Sequence, residues 1–186
     1  MKKPKFIAPL CLVIILSCLN LNLLPSCKRT DAKEYYNRGY TYYQSKDYQK
    51  AIESYKEAIR IKPDYVEAYC NLGIAYKASG DNKNAIESYK EAIRLKPNYA
   101  EAYCNLGVAY GASGDSKKEI EAYKEAIRLK PNYVNAHYNL VLAYFRSGDR
   151  RNASEEYKIL KGLNKEMAAA LSDLLNSPPG SRPPNR

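Results

Sequence analysis

The sequence predicts an all-α protein in which four helical hairpins stack into a right-handed superhelical solenoid that ends in a C-terminal capping helix. Two observations support this fold class. The heptapeptide EAYCNLG occurs at residues 67–73 and again at 101–107, with a spacing of 34 residues. The segment YKEAIRIKPDY at 55–65 recurs in the same register as YKEAIRLKPNY at 89–99 and 123–133. A fixed period of this size is typical of architectures whose units stack on their neighbours.

Each unit has the pattern of two short helices. In the second unit, the residues Tyr69 to Tyr76 place apolar or small side chains at i, i+3, i+4 and i+7, which is one face of a helix. Gly80 can end this helix, and Asp81 can cap the next one. Pro97 then ends the second helix, because proline has no amide hydrogen to donate. The predicted units are 32–65, 66–99, 100–133 and 134–167.

These positions resemble the tetratricopeptide repeat (TPR), a helical hairpin with a fixed order of aromatic, Leu-Gly, Tyr, Ala and Pro positions. The resemblance covers residues 32–167 and implies that the first helix of every unit lines a concave surface on which peptide segments bind. In the second unit the matching residues are Tyr69, Leu72, Gly73, Tyr76, Ala85, Tyr89, Ala92 and Pro97.

Several positions depart from this pattern. Glu119 stands where alanine is expected, and the sequence offers no reason for it. The fourth unit has Val141 for glycine, Leu160 for alanine and no closing proline, as terminal repeats often do. Residues 165–176 predict an amphipathic helix that caps the stack. The Pro- and Gly-rich residues 177–186 predict a disordered tail.

The first 27 residues predict a secretory signal peptide, because three lysines precede a short uninterrupted apolar core, Leu10 to Leu16, and the small residue Ser26 suits a cleavage site. A membrane-spanning helix needs about 20 apolar residues. The sequence LLPSC at 23–27 resembles the lipobox of bacterial lipoproteins and predicts lipid modification of Cys27, although Pro25 departs from that motif. A plain signal peptide and an uncleaved anchor are the alternatives. Residues 28–31 form a linker.

The net charge of +10 raises the question of an anionic partner. Arg60, Arg94 and Arg128 recur near the ends of second helices, where cations complement the helix dipole. Basic residues are therefore spread through the repeats, which favours a solvated face over nucleic-acid binding.

Catalytic and metal sites are not indicated. The repeated Cys70 and Cys104 follow from duplication, and equivalent residues on successive first helices should lie about 8–10 Å apart. A disulfide requires Cα atoms within about 7 Å. The single histidine, His137, takes the place of an aromatic residue of the other units. We expect no enzyme activity, cofactor, metal or small-molecule substrate.

The TPR resemblance also implies a set of peptide-contacting residues on the first helices. One asparagine recurs in every unit, and it either bonds the backbone of an extended peptide or bonds within its own repeat. The basic residues with which some chaperone-binding relatives grip a carboxylate are missing from the matching positions. The candidate binding residues are Tyr36, Asn37, Tyr40, Tyr43, Cys70, Asn71, Lys77, Cys104, Asn105, Tyr138, Asn139, Phe145 and Arg146.

Together these features predict a non-catalytic protein–protein interaction scaffold that binds peptide segments in its concave groove. The signal segment predicts export to a bacterial cell envelope, as a periplasmic or membrane-anchored extracytoplasmic protein. The alternative is a structural subunit or biogenesis factor of an envelope complex. A single stoichiometric partner that survives high salt would favour the alternative, and a weak set of partners displaced by peptide would favour the scaffold.

Overall fold

The computed structural model describes residues 31–176. The predicted signal segment with Cys27, the linker up to residue 30 and the tail at 177–186 lie outside the described residues. Within the described range the chain forms nine helices and no strand. None of the helices described is long and apolar enough to cross a membrane. The helices are α1 Ala32–Gln44, α2 Tyr48–Ile61, α3 Val66–Ala78, α4 Asn82–Leu95, α5 Ala100–Ala112, α6 Ser116–Leu129, α7 Val134–Arg146, α8 Arg150–Leu163 and α9 Lys165–Asn176.

The helices pack as four consecutive hairpins. α1 packs on α2, α3 on α4, α5 on α6 and α7 on α8, and each second helix also packs on the first helix of the following hairpin. α9 follows the fourth hairpin and packs mainly on α8. The predicted fold class, an all-α solenoid of helical hairpins with a C-terminal capping helix, is confirmed.

A short turn closes each hairpin. Gly80 ends α3 with a φ of 87°, a left-handed conformation that glycine adopts without steric cost. The next residue, Asp81, caps α4, because its carboxylate accepts a hydrogen bond from the backbone N–H of Asn84 at 3.1 Å. Asp47, Asp115 and Asp149 cap the other second helices in the same way.

Small residues let the two helices of a hairpin approach closely. Gly73 of α3 faces the ring of Tyr89 on α4, and a Cβ atom at residue 73 would lie 2.6 Å from the ring. Tyr89 is only 1% exposed and fills the space between the helices. Such interlocking of a large and a small side chain gives the dense packing of a protein interior.

The fourth hairpin is packed differently. Val141 and Leu160 form a buried cluster with Ala168 and Leu171 of α9. Leu171 is only 2% exposed, so α9 covers the apolar end of the stack.

Candidate functional site

The first helices of the hairpins lie side by side. α1 contacts α3, α3 contacts α5, and α5 contacts α7. Within residues 31–176, no second helix of a hairpin contacts the second helix of the next hairpin. A stack in which only one row of helices is in contact curves toward that row. The surface of α1, α3, α5 and α7 is therefore concave, and we call it the groove.

Tyrosines form the N-terminal part of the groove. Tyr36 stacks on Tyr65 with ring centroids 5.1 Å apart, and Tyr43 packs at an angle against Tyr48 at 5.7 Å. Tyr40 lies between them on α1 and is 52% exposed. Tyr40 thus offers a free ring to a ligand, whereas Tyr36 and Tyr43 are held by their neighbours.

The two repeated cysteines lie below the surface of the groove. Cys70 and Cys104 are free thiols, and each is only 4% exposed. Burial raises the pKa of both thiols, so they stay protonated at neutral pH. A buried, protonated thiol is unreactive, and these side chains shape the floor of the groove as small apolar groups.

The recurring asparagines connect successive hairpins. The side-chain amide of Asn71 donates to the hydroxyl of Tyr36 at 2.8 Å. Those of Asn105 and Asn139 donate to the sulfur atoms of the two cysteines, at 3.7 Å and 3.9 Å. Each amide thus bonds the preceding repeat, rather than its own. The Oδ1 oxygens of these asparagines accept no hydrogen bond from the described residues, so they remain available to a ligand.

The other candidate residues differ in accessibility. Lys77 and Asn37 are exposed, and Tyr138 is half-buried. Phe145 is 7% exposed and lies under the guanidinium group of Arg150, which is 4.9 Å from the ring centroid. Phe145 therefore belongs to the core and presents little surface to a ligand. Arg146 is the exposed residue at this end of the groove.

A cavity of about 280 Å³ opens between α5 and α7. At its base lies Glu119, which is 2% exposed and accepts a hydrogen bond from the guanidinium group of Arg146. Sequence reasoning found Glu119 only as an unexplained departure from the alanine pattern. The lining residues are Val108, Gly111, Ala112, Glu119, Tyr123, Asn139 and Arg146.

His137 is buried within the fourth hairpin. One ring nitrogen contacts the carboxylate of Glu156, and the other lies 2.7 Å from the carbonyl oxygen of Pro131. Both nitrogens are engaged with protein groups, so neither faces the groove. In the part of the chain that the structure describes, no cluster of three or more metal-ligating side chains occurs.

Family profiles match along the repeats. A profile described as TPR repeat matches residues 39–80, 75–114 and 120–148, and one described as tetratricopeptide repeat matches residues 100–133. Together they span more than half of the chain. The chain belongs to the tetratricopeptide-repeat family.

Solved structures show the same architecture. A crystal structure of MamA is 31% identical, with a TM-score of 0.71 over 76% of this chain and 83% of that chain. The Sgt2 TPR domain from Aspergillus fumigatus is 28% identical, with a TM-score of 0.61 over 65% of this chain and 81% of that chain. The first TPR of Spaghetti (RPAP3) was solved with the HSP90 peptide SRMEEVD. It is 22% identical with a TM-score of 0.62, over 64% of this chain and 94% of that chain, a likeness of fold alone. A search of curated proteins finds no match.

Proposed function

We propose that this TPR protein is a non-catalytic scaffold that binds an extended peptide segment of a partner protein along the groove. The observation that carries the proposal is the continuous row of first helices, which presents the exposed ring of Tyr40 and the uncommitted oxygens of three asparagines. A tyrosine ring offers apolar area with a polar tip, and an amide oxygen accepts a backbone N–H. Both features suit a peptide chain in an extended conformation.

The RPAP3 domain supports this proposal only through its fold, because that domain holds the HSP90 peptide on the same architecture. The likeness does not extend to the side chains that line the groove. Its floor consists of small buried thiols, and its N-terminal part is rich in tyrosine.

Site-specific photo-crosslinking tests the proposal. A benzophenone amino acid replaces Tyr40 in the groove, or Ile159 on the second helix α8 as a control of equal exposure, 52% against 50%. We expect a partner adduct in native cells from position 40 and none from position 159. Equal adducts from both positions, or an adduct from position 159 alone, would contradict binding in the groove.

The asparagines provide a second, quantitative test. Asn37 has no preceding hairpin and is exposed, so Asn37→Ala removes an amide without breaking a bond between hairpins. Asn71→Ala removes the bond to Tyr36 as well. If the amides hold the peptide backbone, both variants weaken binding of the crosslinked partner, measured by titration calorimetry. If only Asn71→Ala has an effect, and that effect is a lower melting temperature, the asparagines are structural.

We further propose that the protein is exported to a bacterial cell envelope and anchored there through a lipid on Cys27. The supporting feature is the pattern of residues 1–27, in which lysines precede a short apolar stretch and a small residue precedes the cysteine. Stable anchoring requires two or more acyl chains. Mass spectrometry of the mature N terminus is expected to find an acylated Cys27. Membrane association should be lost in Cys27→Ser and kept in the control Cys18→Ser. An unmodified mature N terminus would contradict the proposal.

A further inference from the structure

Three residues that break the repeat pattern meet in one place. Glu119 lies in the first turn of α6, Gly111 lies near the end of α5, and Arg146 is the last residue of α7. They line the same cavity in the groove, although they come from three helices and two hairpins. In the other hairpins the position of Glu119 holds alanine, at Ala51, Ala85 and Ala153. The position of Gly111 holds Tyr43, Lys77 and Phe145. The position of Arg146 holds Gln44, Ala78 and Ala112.

The three side chains depend on one another. A Cβ atom at residue 111 would lie 2.6 Å from the carboxylate oxygen Oε1 of Glu119, so any larger residue there would displace the carboxylate from its present position. The same oxygen accepts a hydrogen bond from the Arg146 guanidinium group. A departure at one position is therefore matched by departures at the other two.

Packing alone does not account for the ion pair. Alanine fills the place of Glu119 in three hairpins of the same fold, and in each of them it is completely buried. Removing the carboxylate of Glu119 from water costs free energy, which the attraction of a nearby guanidinium group often only balances. Burial raises the pKa of Glu119, and the charge of Arg146 opposes that shift. Alanine at both positions would fit the fold without this desolvation cost.

The cavity presents one side of the ion pair to a ligand. The Glu119 side chain is 3% exposed, whereas that of Arg146 is 41% exposed. A guanidinium group carries five N–H donors in a planar fork, and only one bond of Arg146, that to Glu119, is formed within residues 31–176. Asn139 lies beside it with a free amide oxygen, and Val108 and Ala112 form apolar walls.

We propose that this cavity is a specificity pocket for a carboxylate of the bound peptide, which Arg146 binds and Glu119 supports. The free edge of a guanidinium group matches a carboxylate with two parallel hydrogen bonds. Glu119 acts as a positioning residue, because it holds the guanidinium group at the cavity wall. This inference rests on the proposed function of the groove.

The test uses the purified chain and a positional-scanning library of synthetic peptides, prepared with free and with amidated carboxyl termini. We expect selected peptides to share Asp or Glu at one position, or to require a free carboxyl terminus; the two preparations distinguish these sources. Replacing that acid by its amide should weaken binding about tenfold to a hundredfold, the usual effect of removing a charged hydrogen-bond partner. This comparison needs no protein variant.

Protein variants then assign the pocket. Arg146→Ala should abolish the preference for the acid, and Arg146→Gln should do the same while it keeps most of the side-chain volume. The double variant Glu119→Ala with Arg146→Ala restores alanine at both positions; it should fold, as judged by its thermal melt, and select peptides without an acid. Glu119→Ala alone should weaken the preference and leave binding of amidated peptides unchanged. Arg151→Ala removes an exposed arginine outside the cavity and should behave as the native protein.

The outcomes separate this inference from the function on which it rests. Selected peptides without an acid preference, or a preference that persists in Arg146→Ala and Arg146→Gln, would overturn the pocket and leave peptide binding intact. If the native protein selects no peptide at all, peptide binding in the groove is wrong, and the pocket is wrong with it.

Discussion

The first three hairpins and the fourth fill the space between their two helices with different side chains. In hairpins one to three, a glycine on the first helix faces a tyrosine ring on the second, and the tyrosines are at most 2% exposed. In the fourth hairpin Val141 replaces the glycine and is completely buried, and the equivalent Tyr157 is only partly buried. Leu160 replaces the alanine that follows the tyrosine by one turn.

The difference reflects what lies next in the chain. Each of the first three hairpins is covered by the first helix of another hairpin, which needs a narrow interface of alanine and tyrosine. The fourth is covered by the single helix α9, whose Ala168 and Leu171 pack on Val141 and Leu160. Larger side chains in the fourth hairpin therefore supply the apolar surface that holds a capping helix, and the repeat sequence changes where its neighbour changes.

The largest expected effect comes from restoring the repeat residue in the fourth hairpin. Leu160→Ala introduces the residue found at Ala58, Ala92 and Ala126, yet we expect it to destabilise the protein by about 3 kcal/mol, since it opens a cavity under α9. Urea unfolding measures the loss. The control Ile159→Ala shortens a neighbouring side chain that is 50% exposed and should change stability by less than about 0.5 kcal/mol. Equal effects of the two substitutions would show that α9 does not depend on Leu160.

Placing a residue of the fourth hairpin in an earlier hairpin should destabilise the protein somewhat less. Gly73→Val places the residue of the fourth hairpin in the second, where the new side chain meets the ring of Tyr89; we expect a loss of about 2 kcal/mol. Gly162→Val is the matched control, because a Cβ atom at residue 162 meets nothing within 4 Å. Thermal melts of both variants measure the difference. A native-like melt for Gly73→Val would mean that the tyrosine moves aside freely and that the close approach is not required.

The fold could be predicted from the sequence because its determinants are local and repeat in phase. The turn at Gly80 and Asp81 and the end of α4 before Pro97 each depend on a few consecutive residues, and four copies reinforce one another. The capping helix was predicted from its own apolar spacing. These features need no knowledge of distant contacts.

The details of the groove were less predictable, because they depend on distances between helices. Glu119 was visible as a departure, but its partner Arg146 lies 27 residues further along the chain. The asparagine bonds to the preceding repeat depend on how closely the first helices approach. Phe145 was predicted to line the groove, but its ring belongs to a buried cluster that joins the third and fourth hairpins, and such packing between helices is not visible in the sequence.

An effect of similar size is expected where His137 contacts Glu156 in the fourth hairpin. His137→Tyr restores the aromatic residue of the other hairpins, but it leaves the carboxylate of Glu156 without its partner; we expect a loss of about 2 kcal/mol. The double variant His137→Tyr with Glu156→Ser recreates the pair Tyr69 and Ser88 of the second hairpin and should recover most of that loss. A double-mutant cycle in urea measures the coupling. Additive losses would mean that the two side chains are independent.

The smallest expected difference lies where the hairpins are alike, at the caps of their second helices. Asp81 and Asp149 each accept the backbone N–H of an asparagine three residues later at 3.1 Å, and that asparagine's side-chain amide at 2.6 Å and 2.5 Å. These bonds hold the pKa of both carboxyl groups below its ordinary value, through the side-chain amide first at Asp81 and the backbone N–H first at Asp149. Because the pKa is lower in the folded state, the stabilisation is present above the ordinary carboxyl pKa of about 4 and is lost as the pH falls through the lowered value.

Asp81→Asn and Asp149→Asn keep a capping side chain but remove this titration, so both variants should lose less stability than the native protein between pH 5 and pH 3. Urea midpoints at the two pH values measure it. If the two variants change the pH dependence of stability equally, the hairpins differ only at the positions that pack on α9. A larger change for Asp149→Asn would mean that the turn of the fourth hairpin differs as well.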